Sequence, residues 1–184
     1  MRPNFPSWLA IAPAALVSVA LPSVVHATRY LTVEQAQRQL FPAATAFADR
    51  SLRFTPAQRK AIGRASGTGV PGSQRIYEAR GPLGRIGWLF IDQVLGKHEM
   101  ITYALALDTA GTVRGVEILD YRETYGGEIR NPAWRRQFIG IRPGASLELG
   151  TDIKNISGAT LSSRHVTDGV RRLLVTYRMM FAQG

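Results

Sequence analysis

Residues 101–120 read ITYALALDTAGTVRGVEILD, and this stretch decides the fold. Two runs rich in apolar residues, 101–108 and 112–120, have the length and composition of β-strands. Between them lies Asp108-Thr109-Ala110-Gly111, whose composition is typical of a hairpin turn. The stretch therefore predicts two antiparallel strands that are neighbours in one sheet.

Further strands and helices are predicted on the N-terminal side of this hairpin. Residues 75–80 and 87–94 have the composition of strands. Thr32-Val33-Glu34-Gln35 and Thr55-Pro56-Ala57-Gln58 are capping-box patterns, which predict helices ending near residues 41 and 65. Residues 131–139 are also predicted to be helical. The fold class that follows is α+β, a single domain with an antiparallel sheet and helices packed on it.

A long amphipathic helix is predicted to close the chain, beginning near Thr160. One face of it is apolar, and its members fall at the spacing of successive helical turns: Val166, Val170, Leu173, Leu174, Tyr177, Met180 and Phe181. The arginines Arg171, Arg172 and Arg178 are predicted to lie largely off that stripe. Residues 67–72, rich in glycine, are predicted to form a mobile loop ahead of the strands.

Residues 1–27 are predicted to be an export signal. Arg2 is the only charged residue before an uncharged run from Trp8 to Val25, and Val25-His26-Ala27 fits a small-residue cleavage site. The run is about as short as a bilayer span can be, so a cleaved signal is favoured over an uncleaved anchor. This predicts a periplasmic or otherwise extracytoplasmic location. Residues 28–72 are then expected to form an N-terminal helical segment and loop, and residues 73–184 the functional domain.

Composition excludes several kinds of redox and metal site. The chain contains no cysteine, which excludes disulfides, iron–sulfur ligation and thioether-linked haem. Beyond the signal, the two histidines His98 and His165 lie far apart, without metal-ligand spacing. The formal charge of +10 favours acidic partners or peripheral contact with an anionic membrane. Nucleic acid is not expected as a partner, because the arginines are dispersed and an exported protein seldom meets DNA.

The stretch Ser157-Gly158-Ala159-Thr160-Leu161-Ser162-Ser163 stands directly at the start of the last helix. A helix N-terminus presents unpaired N–H groups and a partial positive charge, which suit a phosphate. Gly158 can adopt backbone angles closed to other residues, and Ala159 adds little bulk beside the Thr160 hydroxyl. Ser157, Ser162 and Ser163 are expected to cap the helix or donate to phosphate oxygens. The plainer alternative is a simple helix cap.

A second motif, Glu123-Thr124-Tyr125-Gly126-Gly127-Glu128-Ile129, precedes Trp134 and Phe138. Gly126 and Gly127 permit backbone N–H groups to approach a flat ring, while Glu123 and Thr124 supply an acceptor and a donor. The alternative here is a turn that packs on a tryptophan. The motifs follow the predicted hairpin and precede the predicted last helix, so they are expected to converge at one edge of the sheet.

Together the two motifs resemble the FMN-binding domain family, which includes the FMN-carrying subunits of sodium-pumping NADH:quinone oxidoreductase and of the Rnf complex. The resemblance implies FMN joined covalently to Thr160 through a phosphoester, placed there from FAD by a separate flavin transferase. It also implies that the loop from Glu123 lies against the flavin. Two positions depart from the family: Lys154 stands where an acidic residue is usual, with Asp152 the nearest carboxylate, and Tyr125 stands where proline is common.

The expected function is an exported electron carrier between a membrane-bound redox donor and an extracytoplasmic acceptor. The residues expected to hold FMN are Ser157, Gly158, Ala159, Thr160, Leu161, Ser162, Glu123, Thr124, Gly126 and Gly127. One alternative is a small flavin reductase with its own organic substrate, for which Arg122, Tyr125 and Glu128 are candidate proton donors. Another is a binding module without redox chemistry. No dinucleotide fingerprint or P-loop supports an exchanging nicotinamide site.

Overall fold

The computed structural model of the protein describes residues 28–123 and 126–182. The predicted export signal, residues 1–27, lies outside these described residues, as do Thr124 and Tyr125 of the second motif. The elements of the described chain are β1 (Thr28–Arg29), α1 (Val33–Leu40), β2 (Ala46–Asp49), β3 (Leu52–Arg53), α2 (Pro56–Ser66), β4 (Ser73–Gly81), β5 (Gly84–Leu95), β6 (Met100–Leu107), β7 (Val113–Tyr121), α3 (Pro132–Arg135) and α4 (Thr160–Met180). Short 3₁₀ helices at Gly127–Arg130 and Arg136–Phe138 flank α3.

The strands form one antiparallel sheet in the order β1-β7-β6-β5-β4-β2. β3 pairs with the beginning of β4 and β2 with its end, so the two short strands lie one after the other along the same edge. The predicted hairpin turn is present, since the Asp108 amide donates to the Thr112 carbonyl at 2.9 Å and Gly111 has a φ of +83°. The predicted α+β fold and its four long strands are confirmed.

The sheet is covered on both faces. α4 packs on one face, where Val166, Val170 and Leu173 join a core that includes Phe90 and Leu105. The α1 region covers part of the other face through a smaller cluster: Ala36, Phe41, Ala79, Leu89, Ile91, Ala104, Ala106 and Leu119. Full burial of a single leucine or phenylalanine stabilises a fold by roughly 1.5–3 kcal/mol, so these two clusters supply most of the driving force for the fold.

The predicted helix starts are confirmed at atomic detail. The Thr32 side chain accepts the amide of Gln35, and the Gln35 side chain accepts the amide of Thr32 in return, at 3.2 and 2.7 Å. Thr55 and Gln58 repeat the exchange at the start of α2. The helix predicted over residues 131–139 is present as the four-residue α3, which continues as a 3₁₀ helix to Phe138. Within the described ranges, no helix has the length and apolar character needed to span a membrane.

The expectation that Arg172 lies off the buried face of the last helix is wrong. Arg172 is only 8% exposed, and its guanidinium lies 2.5 Å from a carboxylate oxygen of Asp92 on β5. The hydroxyl of Tyr103 donates to the same oxygen at 2.6 Å, and a second guanidinium nitrogen donates to the carbonyl of Gly69. The charge of Arg172 is therefore compensated inside the fold, and residues 67–72, predicted to be mobile, are tied to α4.

The three short strands were not predicted from the sequence. β1 and β3 have two residues each and β2 has four, too few for a period to show. They exist because the neighbouring strands offer unpaired backbone groups, which is a property of the assembled sheet. As a result, the segment from 28 to 72 contributes strands to the same sheet as the rest of the chain.

Removing the buried cation should cost a large part of the stability. We expect Arg172→Met to lower the free energy of unfolding by about 3–5 kcal/mol, because it leaves the Asp92 carboxylate buried without its partner. Urea unfolding followed by circular dichroism measures the change. Arg178→Met, at an exposed position of the same helix, should change it by less than about 0.5 kcal/mol. Equal losses in the two variants would contradict the role given to the buried pair.

Candidate functional site

The start of α4 presents an exposed hydroxyl on a backbone without a side-chain cap. Gly158 has a φ of +82° and open space where a Cβ would stand, as its predicted role requires. Ala159 occupies the capping position, where it makes no side-chain hydrogen bond to the helix. Thr160 is exposed, and its Oγ1 accepts a hydrogen bond from the Asn155 side-chain amide at 3.1 Å. The uncapped first turn of α4 and the exposed Thr160 hydroxyl thus lie at the same end of the helix.

The serines around Thr160 have other positions and partners. Ser163 is fully buried, and its hydroxyl lies 2.9 Å from both Asn155 Oδ1 and the Ala159 carbonyl oxygen. Ser162 is buried and forms a hydrogen bond with Tyr121 of β7. Burial raises the pKa of Tyr121, while the bond to Ser162 acts in the opposite direction. Neither serine caps the helix as expected, because both hydroxyls are used to hold α4 on its surroundings.

The predicted convergence of the two motifs is present as a direct packing contact. Gly126 has a φ of +87°, and a Cβ built there would lie 2.8 Å from the Cβ of Ala159 and 2.7 Å from the Tyr121 hydroxyl. The backbone of the second motif therefore touches the first motif at a distance that only glycine permits. The contact fixes the loop after β7 against the start of α4, at the end of the sheet.

A second connection runs from Trp134, which follows the second motif, to the segment just before the first motif. The indole N–H of Trp134 donates to the carbonyl of Lys154 at 2.8 Å, and the amide of Lys154 donates to the Gln137 side chain at 2.9 Å. Trp134 is buried and packs edge-on against Phe138 with ring centroids 5.2 Å apart. The segment that leads into Ser157 is consequently held by the helical turns that follow the second motif.

A cavity of about 550 Å³ opens between the two motifs. Six of its lining residues were predicted as site residues, namely Glu123, Gly158, Ala159, Thr160, Leu161 and Ser162, and the other two are Lys97 and His98. Gly126 packs behind this wall, while Ser157 and Gly127 are not among the lining residues. Thr124 lies outside the described residues. The volume is within the range typical of small-molecule sites, about 300–1,000 Å³.

One oxygen of Glu123 has partners that the sequence did not predict. Its Oε1 accepts the backbone amides of His98 and Glu99 at 2.5 and 3.0 Å, so this oxygen is occupied by the turn between β5 and β6. Partial burial alone would raise the pKa of Glu123, but the hydrogen bonds from the Glu99, His98 and Lys97 amides outweigh it, and the pKa lies below its ordinary value. The carboxylate is thus held in its charged form.

Three residues near the site were missed by sequence reasoning. Lys97 and His98 belong to a turn about 25 residues before Glu123, and nothing in the local sequence connects them to either motif. Asn155 lies five residues before Thr160, where its side chain connects the Thr160 and Ser163 hydroxyls. An amide side chain five residues before Thr160 was the only available signal.

Asp152, the carboxylate nearest in sequence to Lys154, has its hydrogen-bond partners within its own turn. Asp152 accepts hydrogen bonds from the Glu148 amide at 2.8 Å and from the Ser146 hydroxyl at 2.9 Å. These bonds lower its pKa and commit it to its own turn. Among the described residues, no three histidine, aspartate or glutamate side chains gather as a metal-binding group.

The residues present fit a ligand that carries a phosphate at one end. Uncapped amides and the positive end of the α4 dipole suit a phosphate beside Thr160. The rest of the cavity extends away from the helix start to the wall formed by Lys97, His98 and Glu123. A flat ring joined to that phosphate has room between these two sides. This arrangement is compatible with a flavin mononucleotide.

Comparison with known proteins agrees with this class of site. Residues 96–175 match the FMN-binding domain family, which confirms the resemblance seen in the two motifs. This match covers both motifs and the turn that contains Lys97 and His98. The N-terminal strands and helices of the fold lie outside it.

Individual relatives are subunits C of the Na⁺-translocating NADH-quinone reductase. The protein from Yersinia pestis is 37% identical over 134 residues, which is 63% of this chain and 49% of the relative. The one from Vibrio vulnificus is 33% identical over 88 residues, 39% of this chain and 34% of the relative. The chain thus spans about half the length, or less, of these curated relatives. The crystal structure of Shewanella oneidensis NqrC shares the fold, with a TM-score of 0.56 at 15% identity over 79% of this chain and 86% of that one.

A methyl group added at position 126 should push the backbone of the second motif away from Ala159 of the first motif. We expect Gly126→Ala to speed amide hydrogen exchange in peptides covering residues 155–163, because the new Cβ overlaps Ala159. Gly140→Ala is the matched control, since Gly140 has a similar φ of +86° but open space around its Cβ position. Both variants should lose about 1–2 kcal/mol of stability from the left-handed backbone.

Mass spectrometry of the exchanged peptides distinguishes the contact from backbone strain. Faster exchange at residues 155–163 in Gly126→Ala alone supports the contact. Equal exchange in the two variants would show that the Gly126–Ala159 contact does not hold the motif.

Proposed function

We propose that this protein is an exported electron-transfer flavoprotein that carries FMN on Thr160 through a phosphoester bond. It relays electrons between a membrane-bound redox donor and an extracytoplasmic acceptor. The observation that carries the proposal is the exposed Thr160 hydroxyl at the uncapped start of α4, on the wall of a cavity shared with the second motif.

Thr160 is the best placed of the four nearby hydroxyls. Ser162 and Ser163 are 4% and 0% exposed and hold internal hydrogen bonds. Ser157 is exposed but is not a cavity-lining residue. Thr160 alone among these four is both exposed and part of the lining. A phosphoester on Ser162 or Ser163 would require the start of α4 to rearrange, and one on Ser157 would start outside the cavity lining.

The attachment reaction is a simple exchange at phosphorus. The Thr160 oxygen forms a bond to the FMN phosphorus of FAD, the phosphoanhydride bond breaks, and AMP leaves while the hydroxyl proton is lost. Asn155 donates to Oγ1 and so holds the Thr160 side chain in one orientation. The open Cβ position of Gly158 leaves space for a transferase to approach. The α4 amides and dipole then stabilise the phosphate that remains.

A bound flavin accepts and donates one or two electrons, and the protein supplies its orientation and electrostatic surroundings. A covalent link keeps the cofactor in place outside the cytoplasm, where it is not made. The named function of the relatives, a membrane redox complex, supports a membrane-bound partner for this chain. Its formal charge of +10 supports an acidic partner surface or peripheral contact with an anionic membrane.

The flavin-reductase alternative has no support from a specific contact. Arg122, one of its candidate proton donors, is paired with Asp120 at 2.9 Å, and neither it nor Glu128 lines the cavity. Tyr125 lies outside the described residues. An electron carrier needs no such donor beside the flavin.

Replacing Thr160 tests the attachment point. Protein co-expressed with a flavin transferase should gain the mass of one FMN less water and keep yellow fluorescence after denaturation. We expect Thr160→Ala to fold and be exported but to carry no covalent flavin, because the acceptor oxygen is gone. Intact mass and in-gel fluorescence measure the result. Thr160→Ser keeps a hydroxyl and should be modified in part.

Ser157→Ala is the control, since it removes an exposed hydroxyl three residues away without touching the cavity wall. It should retain the full flavin mass. Covalent flavin in Thr160→Ala, or a flavin-bearing peptide whose modified residue is Ser157, Ser162 or Ser163, would show that the assignment is wrong.

A further inference from the structure

The cavity wall opposite α4 is formed by the turn between β5 and β6. Gly96 and Glu99 close this turn, with the Gly96 amide donating to the Glu99 carbonyl at 2.8 Å. The two residues between them, Lys97 and His98, line the cavity. In the function proposed above, the phosphate ester lies at the N-terminus of α4. The remainder of the ligand then extends towards this turn.

The carboxylate of Glu123, two residues after β7, holds this turn. Glu123 accepts the amides of His98 and Glu99 on one oxygen, and a Cβ on Gly96 would lie only 2.5 Å from that oxygen. Any side chain at position 96 would therefore push the carboxylate away. Three residues of the turn, Gly96, His98 and Glu99, thus lie close to the same Glu123 oxygen. These contacts fix the position of the turn that carries Lys97 and His98.

A second tie connects the turn to the helix that carries Thr160. His165, five residues after Thr160, contacts the carbonyl oxygen of Leu95 through its Nδ1. Leu95 is the last residue of β5, directly before the turn. Two contacts therefore set the distance from the start of α4 to Lys97. One is the Glu123 carboxylate on the turn, and the other is His165 of α4 on Leu95.

The two charged side chains that line the cavity differ in whether they have partners. Of the residues that line the cavity, only Lys97 carries a permanent positive charge and only Glu123 a negative one. The negative charge is satisfied by backbone amides on the turn, whereas none of the described hydrogen bonds or ion pairs involves the Lys97 ammonium group. A cation beside a flavin favours its reduced form, because reduction adds electron density to the ring.

We propose that the Lys97–His98 turn is the ring-side wall of the flavin site, that Lys97 raises the reduction potential of the bound flavin, and that Glu123 is a positioning residue for this turn. The proposal rests on the function proposed above. It gives Glu123 a role in holding the wall in place of direct hydrogen bonding to the flavin through Oε1.

The test of Lys97 is the midpoint potential of the flavinylated protein. Lys97→Gln should shift the equilibrium between oxidised and two-electron-reduced flavin about tenfold towards the oxidised form, equivalent to about 30 mV. Lys97→Arg should stay near the parent value. Lys60→Gln is the control, because Lys60 is exposed on α2, which packs near the other end of α4. A Lys97→Gln potential equal to that of the parent would overturn the role of Lys97.

The test of Glu123 is hydrogen exchange in the flavin-free protein. Glu123→Ala should speed exchange in peptides covering residues 96–100, and Glu123→Gln, which keeps an acceptor oxygen, should do so less. In the Glu123→Ala background the effect of Lys97→Gln on the potential should shrink, as expected for a residue that acts through another. Unchanged exchange at residues 96–100 in both variants would overturn the positioning role.

Covalent flavin is measured first in every sample. Its absence from the parent protein contradicts the proposed function and the Lys97 role with it. Attached flavin with an unaltered potential in Lys97→Gln contradicts only the role given to Lys97. The two failures are therefore distinct.

Discussion

The burial of α4 across the sheet is the constraint on which the rest of the structure depends. Its apolar face packs against the central strands β5 and β6, and the Arg172–Asp92 pair with Tyr103 fixes its position within that contact. A helix is rigid over its length, so a register set at Arg172 also sets the position of its first residue, Thr160. The same strands end at the turn that carries Lys97 and His98. Packing in the core therefore determines the width of the cavity at the end of the sheet.

The functional site arises where three chain segments meet at that end. Contacts that leave no room for additional atoms hold them together, with Gly126 against Ala159 and Gly96 against Glu123. The hydroxyl of Thr160 is exposed, whereas those of Ser162 and Ser163 are buried and form internal hydrogen bonds. The Asn155 side chain donates to the Thr160 hydroxyl. Rigidity around an exposed acceptor suits a cofactor that is attached once and then kept in a fixed orientation.

Local patterns in the sequence were enough to predict the long strands, both capping boxes, the start of α4 and the meeting of the two motifs. The first three depend on residues close together in the chain or on a period of several turns, and the meeting of the motifs was predicted from their positions after the hairpin and before the last helix. Arg172 was assigned to the wrong face because its burial requires Asp92, eighty residues away. Lys97 and His98 were missed for the same reason, since only the fold brings the β5–β6 turn to the cavity. The hydrogen-bond partners of Glu123 could not be read from its motif, because they are backbone amides of that distant turn.

The most direct test of the central claim is a crystal structure of the protein after maturation by a flavin transferase. We expect continuous electron density from Oγ1 of Thr160 through a phosphate at the start of α4. The ring should lie in the cavity between that helix and the Lys97–His98 turn. Density that joins the phosphate to another side chain, or that places the ring outside this cavity, would contradict the assignment of Thr160 and of the site.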